Sequence, residues 1–188
     1  MPDEPGAAKK MATGPTVPFP PRMKALRFGI ERDPCYDHGA RKKQAEDRPL
    51  SHPEPVGLYE PFVRVGRLVA LSAISTARDG VLVTGKLGRE LDLAAGQAAA
   101  RRAAENLLSV LLEAAGGDFD NVERLLLVRG YVNAAEDFGQ VHKVIDAASA
   151  LLIERLGEKG RHARTALGLA TLPNHNAVTL EAVAVLRD

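Results

Sequence analysis

Tryptophan is missing from this chain of 188 residues, aromatics make up only 4% of it, and cysteine occurs once, as Cys35. Few aromatics argue against the stacking platforms that hold single-stranded nucleic acid. One cysteine excludes an internal disulfide and any CxxC metal or redox motif. Charge of one sign is also lacking. The formal net charge of +1 gives no field that favours nucleic acid or an anionic membrane. No apolar run approaches the roughly 18 residues of a helical membrane span. Met1-Pro2-Asp3-Glu4 opens no apolar segment of the kind a secretory signal needs. The expectation is a soluble, cytoplasmic protein. His38, His52, His142, His162 and His175 show neither HxxxH nor HExxH spacing, so no metal is expected.

Proline is abundant in one region and nearly absent from the other. Ten of the twelve fall in residues 1–55, amid mixed charges and little apolar periodicity. Such a segment buries too little surface to offset ordering its backbone. Residues 1–55 therefore read as a disordered extension, with Arg41-Lys42-Lys43 as a solvated basic triplet diluted by nearby acids. Residues 56–188 read as one folded domain.

Within that domain, Phe62–Val65 and Leu68–Ser72 flank Gly66-Arg67, a two-residue hairpin turn. Asp79-Gly80 marks a second turn before the β-branched run Val81-Leu82-Val83-Thr84. Asp92 is placed to cap a helix reaching about Ala115, with an apolar stripe through Ala100, Ala103, Ala104, Leu107, Leu108, Leu111 and Leu112. Gly116-Gly117 ends it. Glu123 to Asn133 reads as a strand buried on both faces around Leu125-Leu126-Leu127-Val128. A second helix is expected from about Phe138 to Leu156, capped by Asp137 and stopped by Gly157. Its stripe is Val141, Val144, Ala148, Leu151 and Leu152. Two terminal strands complete the order β-β-β-α-β-α-β-β, an α+β sandwich with both helices on one sheet face.

Those last two strands each carry one charge in an apolar setting: Arg164 within Gly160–Gly168, and Glu181 within Val178–Val185. Charge is costly there without a partner or a task. Alternation puts His162, Arg164 and Ala166 on one face, and Thr179, Glu181 and Val183 on another. Antiparallel pairing through the Leu172-Pro173-Asn174 turn would bring Arg164 near Glu181. Arginine grips a carboxylate with two parallel hydrogen bonds and never loses its charge. A glutamate beside it can hold a water or accept a proton. A plain cross-strand ion pair is the alternative meaning of the same two residues.

The segment Gly160–Leu172 followed by Leu180-Glu181-Ala182-Val183-Ala184-Val185 resembles the C-terminal signature of the RidA/YjgF family of reactive-intermediate deaminases. That signature runs P-A-R-[ST]-x-[VL]-x-[VA]-x-x-L-P, then I-E-[IV]-E-A-[IV]-A-[VL]. Val65–Ser72 is similar to the family hairpin, Tyr59 to a tyrosine before its first strand, and Asp137-Phe138 to the opening of its second helix. The resemblance covers about residues 56–186.

It implies a chorismate-mutase-like sandwich of mixed sheet and two helices, assembling as a homotrimer with sites between subunits and using no cofactor. It further implies hydrolysis of 2-imino or enamine acids to 2-keto acids and ammonia. Arg164 would clamp the substrate carboxylate, and Glu181 would place the water. Tyr59 would close the ligand cleft, with a packing tyrosine as its alternative. By its position one step from Arg164 on the same strand face, and not by the resemblance, His162 could hydrogen-bond a substrate or transfer a proton, or be a surface or cap-stabilising histidine. Three positions depart from the family pattern: Ala73 where a glycine follows strand two, Ala166 where some members carry cysteine, and His142 where asparagine is common.

A trimer that binds small carboxylates without catalysis is the rival reading, and an endoribonuclease a weaker one. No membrane partner is expected, and nucleic acid is disfavoured. Gly80–Lys86 matches the GxxxxGK of a phosphate loop, but Leu87 stands where the magnesium-binding hydroxyl belongs. His175 reads as a loop residue.

Overall fold

The computed structural model describes Pro55 and residues 57–188, all within a unit spanning Asp47–Asp188. The expected extension, except for Pro55, lies outside the described residues. Seven main elements follow: β1 Phe62–Val65, β2 Leu68–Ile74, α1 Leu93–Ala114, β3 Val122–Asn133, α2 Val141–Leu156, β4 Ala163–Leu169 and β5 Val178–Leu186. They form one five-stranded sheet in the order β1-β2-β5-β3-β4. Only β3 and β4 run parallel, so the sheet is mixed. The two helices pack on one of its faces, as an α+β sandwich requires.

Local chemistry accounts for most boundaries. Gly66 takes φ +58°, the left-handed backbone that a tight hairpin needs and that glycine adopts without strain. The Asp92 carboxylate accepts a hydrogen bond from the Ala95 N–H at 2.8 Å, capping α1 as expected. The core is built from Val69, Leu71 and Ile74 of β2, Leu180, Ala182, Ala184 and Leu186 of β5, and Leu125, Val128 and Val132 of β3. Against them lie Ala100, Ala103, Leu107 and Leu111 of α1, and Val144, Ile145, Ala148 and Leu152 of α2. Small side chains on α1 let the helices and sheet approach closely. Gly130 does the same on β3: a Cβ there would sit 2.5 Å from Ile145 Cδ1.

Four expectations change. The strand β3 is not buried on both faces: Leu125 and Val128 pack under the helices, while Leu126 between them is 41% exposed. Val81–Thr84 makes only isolated bridges, Arg78 with Val81 and Thr84 with Asn176. Side chains satisfy much of this segment's backbone instead of a strand ladder. Thr76 Oγ1 accepts the Val83 N–H at 3.0 Å, and Arg102 donates to the carbonyls of Thr76, Arg78 and Val81. The second helix begins at Val141 with Gln140 at its cap position and no side-chain cap. Asp137 and Phe138 form a preceding turn, with the Phe138 N–H bonded to the Ala135 carbonyl. Finally, β4 does not pair with β5. The long β3 lies between them, parallel to one and antiparallel to the other.

Candidate functional site

The intervening β3 decides where the two expected charges go. Arg164 pairs in register with Val128, and Glu181 pairs with Arg129. Val128 and Arg129 are consecutive, so their side chains leave opposite faces of the sheet, and so do those of their paired neighbours. Arg164 faces the helices. Glu181 faces the opposite side, which no helix covers among the described residues. The two residues of one chain are therefore not brought together, because the strand between them sets their phase.

Arg164 lies instead beside α2. Its Nη1 donates to Asp146 Oδ1 at 2.6 Å and to Ser149 Oγ at 3.3 Å. Asp146 and Ser149 are one helical step of three apart, on the flank of the apolar stripe of α2. The Arg164 side chain is 26% exposed. Among the described residues, its Nε and Nη2 have no acceptor, so one edge of the guanidinium is open for a planar anion.

His162 completes this cluster. Its Nδ1 lies 2.6 Å from the Gly160 carbonyl, which can only accept, so Nδ1 carries the hydrogen. Burial holds the imidazole below its ordinary value, and the Arg164 charge adds slightly to that; the Gly160 carbonyl opposes both. In the neutral ring Nε2 is an acceptor, and Ser149 Oγ donates to it across 3.1 Å. Gly160 makes the approach possible, because a Cβ there would strike the backbone carbonyl of Leu152 in the last turn of α2. A concavity of about 290 Å³ opens here, lined by Ser149, Ile153, Arg161, His162 and Arg164.

Glu181 is bound to its register partner: Arg129 Nη1 donates to Glu181 Oε1 at 2.5 Å. The arrangement raises Arg129 above its usual range. Tyr131 lies two residues along β3 on the same face, near the Glu181 carboxylate. Burial, reinforced by that carboxylate, pushes its phenol up. Tyr131 in turn borders a larger cavity of about 830 Å³. Tyr59, Ser72, Ala73, Leu82, Leu172 and Thr179 are among its walls. Glu181 lines neither concavity.

Thr179 Oγ1 accepts the Asn176 amide at 2.8 Å, which leaves its own hydrogen free to point elsewhere. In the strand signature I-E-[IV]-E, the first glutamate position falls on Thr179 and the second on Glu181. It is Thr179 that reaches the cavity wall.

Of the four residues singled out in the sequence, Arg164 and His162 share one concavity, Tyr59 lines the other, and Glu181 lines neither. Sequence reasoning missed Ser149, Asp146, Arg129 and Tyr131. The three-residue spacing of Asp146 and Ser149 beside an apolar stripe was the available signal for the first two. The phosphate-loop match resolves structurally: Lys86 Nζ donates to Asn133 Oδ1 at 3.0 Å and to the carbonyls of Ala134 and Ala170, pinning the loop to the strand ends. His175, in left-handed backbone at φ +56°, is indeed a turn residue. Among the described residues, no group of three or more His, Cys, Asp or Glu could hold a metal, and no helix is long and apolar enough to cross a membrane.

This architecture has known counterparts. Residues 50–185 match the family model described as "YjgF/chorismate_mutase-like, putative endoribonuclease". The chain is 37% identical over 136 residues to Protein TCP17 of Trypanosoma cruzi, covering 71% of this chain and 84% of that protein. It is similar to the crystal structure of Atu1372 from Agrobacterium tumefaciens, a protein of unknown function. That match has 36% identity and a TM-score of 0.69 over 71% of this chain and 86% of the other. It also resembles a structure from Shewanella oneidensis MR-1 described as a putative endoribonuclease, with 28% identity, a TM-score of 0.70, and coverage of 78% and 97%. The helix-backed mixed sheet, the order of its elements and these matches lead to one conclusion: this chain belongs to the YjgF/RidA family.

Proposed function

We propose that the protein hydrolyses reactive 2-imino or enamine acids to 2-keto acids and ammonia, with Arg164 as the carboxylate anchor. The observation that carries this reading is the open guanidinium edge of Arg164. It is steadied from behind by Asp146, inside a concavity that also holds a hydroxyl and an imidazole. A fixed, permanently charged fork is suited to a substrate carboxylate, and holding that end positions C2 for attack by water. Glu181 of the same chain faces away from this site, so its water-placing role would require a site completed by a neighbouring copy.

A homotrimer with shared sites is part of the proposal. The sheet face opposite the helices and the sheet edges expose Val63, Val65, Leu68, Leu126, Leu167 and Leu169, an apolar surface of the kind that association covers.

The test couples an amino acid oxidase, which generates the imine, to semicarbazide, which traps it. Wild-type protein is expected to suppress semicarbazone formation, and Arg164→Ala to lose that effect. Equal semicarbazone yields with wild type, with Arg164→Ala and with buffer would refute the reading. A non-catalytic carboxylate binder is the second reading, favoured by the Arg129–Glu181 ion pair, which occupies the carboxylate that catalysis was expected to use. Retained 2-keto acid binding without hydrolysis would establish it.

A further inference from the structure

Imine hydrolysis at Arg164 needs a group that can take a proton from water and return one to the leaving nitrogen. Glu181, the residue the sequence suggested, lies on the other face of the sheet. The concavity beside Arg164 contains its own candidate. We propose that Ser149 and His162 form the proton relay of this site: the Ser149 hydroxyl touches substrate and water, and His162 is the base behind it. This inference rests on the deaminase reading of the Arg164 site.

The geometry has the ordered parts that such a relay requires. His162 Nδ1–H is held by the Gly160 carbonyl at 2.6 Å, which fixes the tautomer and directs the Nε2 lone pair outward. Ser149 Oγ is 3.1 Å from that lone pair. The same oxygen accepts from Arg164 Nη1 at 3.3 Å, so the hydroxyl sits between base and carboxylate anchor. All three side chains line one concavity. The charged groups facing His162 are Arg164 and Arg161 from its own segment and Asp146 from α2. Glu158 pairs with Arg161 at 2.9 Å, and Asp146 with Arg164 at 2.6 Å.

The protonated imine is held through its carboxylate by Arg164, and water oxygen forms a bond to C2 while the C=N π pair moves to nitrogen. One water proton passes to Ser149 Oγ as the Ser149 proton passes to His162 Nε2. The resulting carbinolamine takes the proton back at nitrogen by the same path. The C–N bond then breaks, ammonia leaves with the bonding pair, and the hydroxyl proton is lost to the ammonia as the carbonyl forms. No oxidant, reductant or metal enters the balance.

The experiment measures wild type, Ser149→Ala, His162→Gln and His162→Asn in the oxidase-coupled assay, across pH 5 to 8, with 2-keto acid binding measured alongside. Neutral His162 is the active form and burial lowers its folded-state value, so wild-type activity is expected to fall along an acid limb that lies below the ordinary 6.5. The His162 variants are expected to lose about a hundredfold in kcat, to retain keto-acid affinity, and to lose the acid limb of the profile. Ser149→Ala is expected to lose rate while keeping that affinity.

Variants that keep both rate and acid limb, beside an active wild type, would overturn the relay and leave the deaminase reading intact. Parallel losses of affinity and rate would reduce the pair to shaping Arg164, which also overturns it. A wild type no faster than buffer would sink the relay and the reading together.

Discussion

Arg164 and Glu181 look equivalent in the sequence, each a single charge in an apolar strand, yet the fold gives them different lives. Glu181 sits on the face opposite the helices, bound across the ladder to Arg129 and close to Tyr131. Its charge is matched within the sheet, as an isolated carboxylate on a strand must be. Arg164 sits on an edge strand against α2, where Asp146 uses one nitrogen and leaves the opposite edge of the guanidinium open. A charge whose donors are only partly used can bind something else. A charge paired in register with its opposite is chiefly a structural feature.

Substitutions at the two positions should therefore diverge. Arg164→Ala is expected to weaken 2-keto acid binding about 10- to 100-fold, since hydrogen bonds to charged groups contribute roughly 1.5–3 kcal/mol. Isothermal titration would read this directly, and an unchanged affinity would break the contrast.

Gly130→Ala probes the packing that holds α2, and with it Asp146 and Ser149, against the sheet. Ile145 has no room for the added methyl, so destabilisation by about 1–3 kcal/mol is expected from denaturant melts. A neutral outcome would mean that α2 can move away freely.

Glu181→Gln is expected to cost only about 0–1 kcal/mol of stability, because the ion pair is partly exposed to solvent and Gln can still accept from Arg129. Keto-acid affinity should stay put. A large loss of binding would place Glu181 in the site after all.

Two smaller effects sharpen the same contrast through pH. The folded-state value of His162 is depressed, so its contribution to stability is complete above 6.5 and declines as pH falls below that. Thermal melts of wild type should thus lose ground to His162→Gln between pH 6.5 and 5. On the other face, the Tyr131 phenol is raised first by burial and then by Glu181. Its ultraviolet titration should move down partway toward 10.0 in Glu181→Gln. No movement would show that burial alone holds it.

The sequence made the scaffold readable because local signals agreed with the global fold. Gly66, Asp92 and the apolar stripes of both helices each mark a real boundary or a real buried face. The run Val81–Thr84 misled, since its β-branched character describes a preference while Thr76 holds the Val83 N–H and Arg102 the Val81 carbonyl in place of a strand ladder. The site was half readable. Arg164 and His162 share a strand face by simple alternation, and they do share a concavity.

Their relation to Glu181 was not readable, because it depends on which strand lies between β4 and β5. That insertion of β3 comes from the parallel crossover through α2, a non-local choice that no alternation pattern encodes. Ser149 was hidden for a related reason. It belongs to a helix flank whose meaning appears only when Gly160 lets the following chain lie against α2.

The most direct test of the account is a crystal structure of the protein with a 2-keto acid bound. The carboxylate is expected against Arg164 Nε and Nη2, with C2 turned toward Ser149 Oγ and His162 behind it. A carboxylate found instead on the face opposite the helices beside Arg129, with Arg164 still engaged only by Asp146 and Ser149, would contradict it.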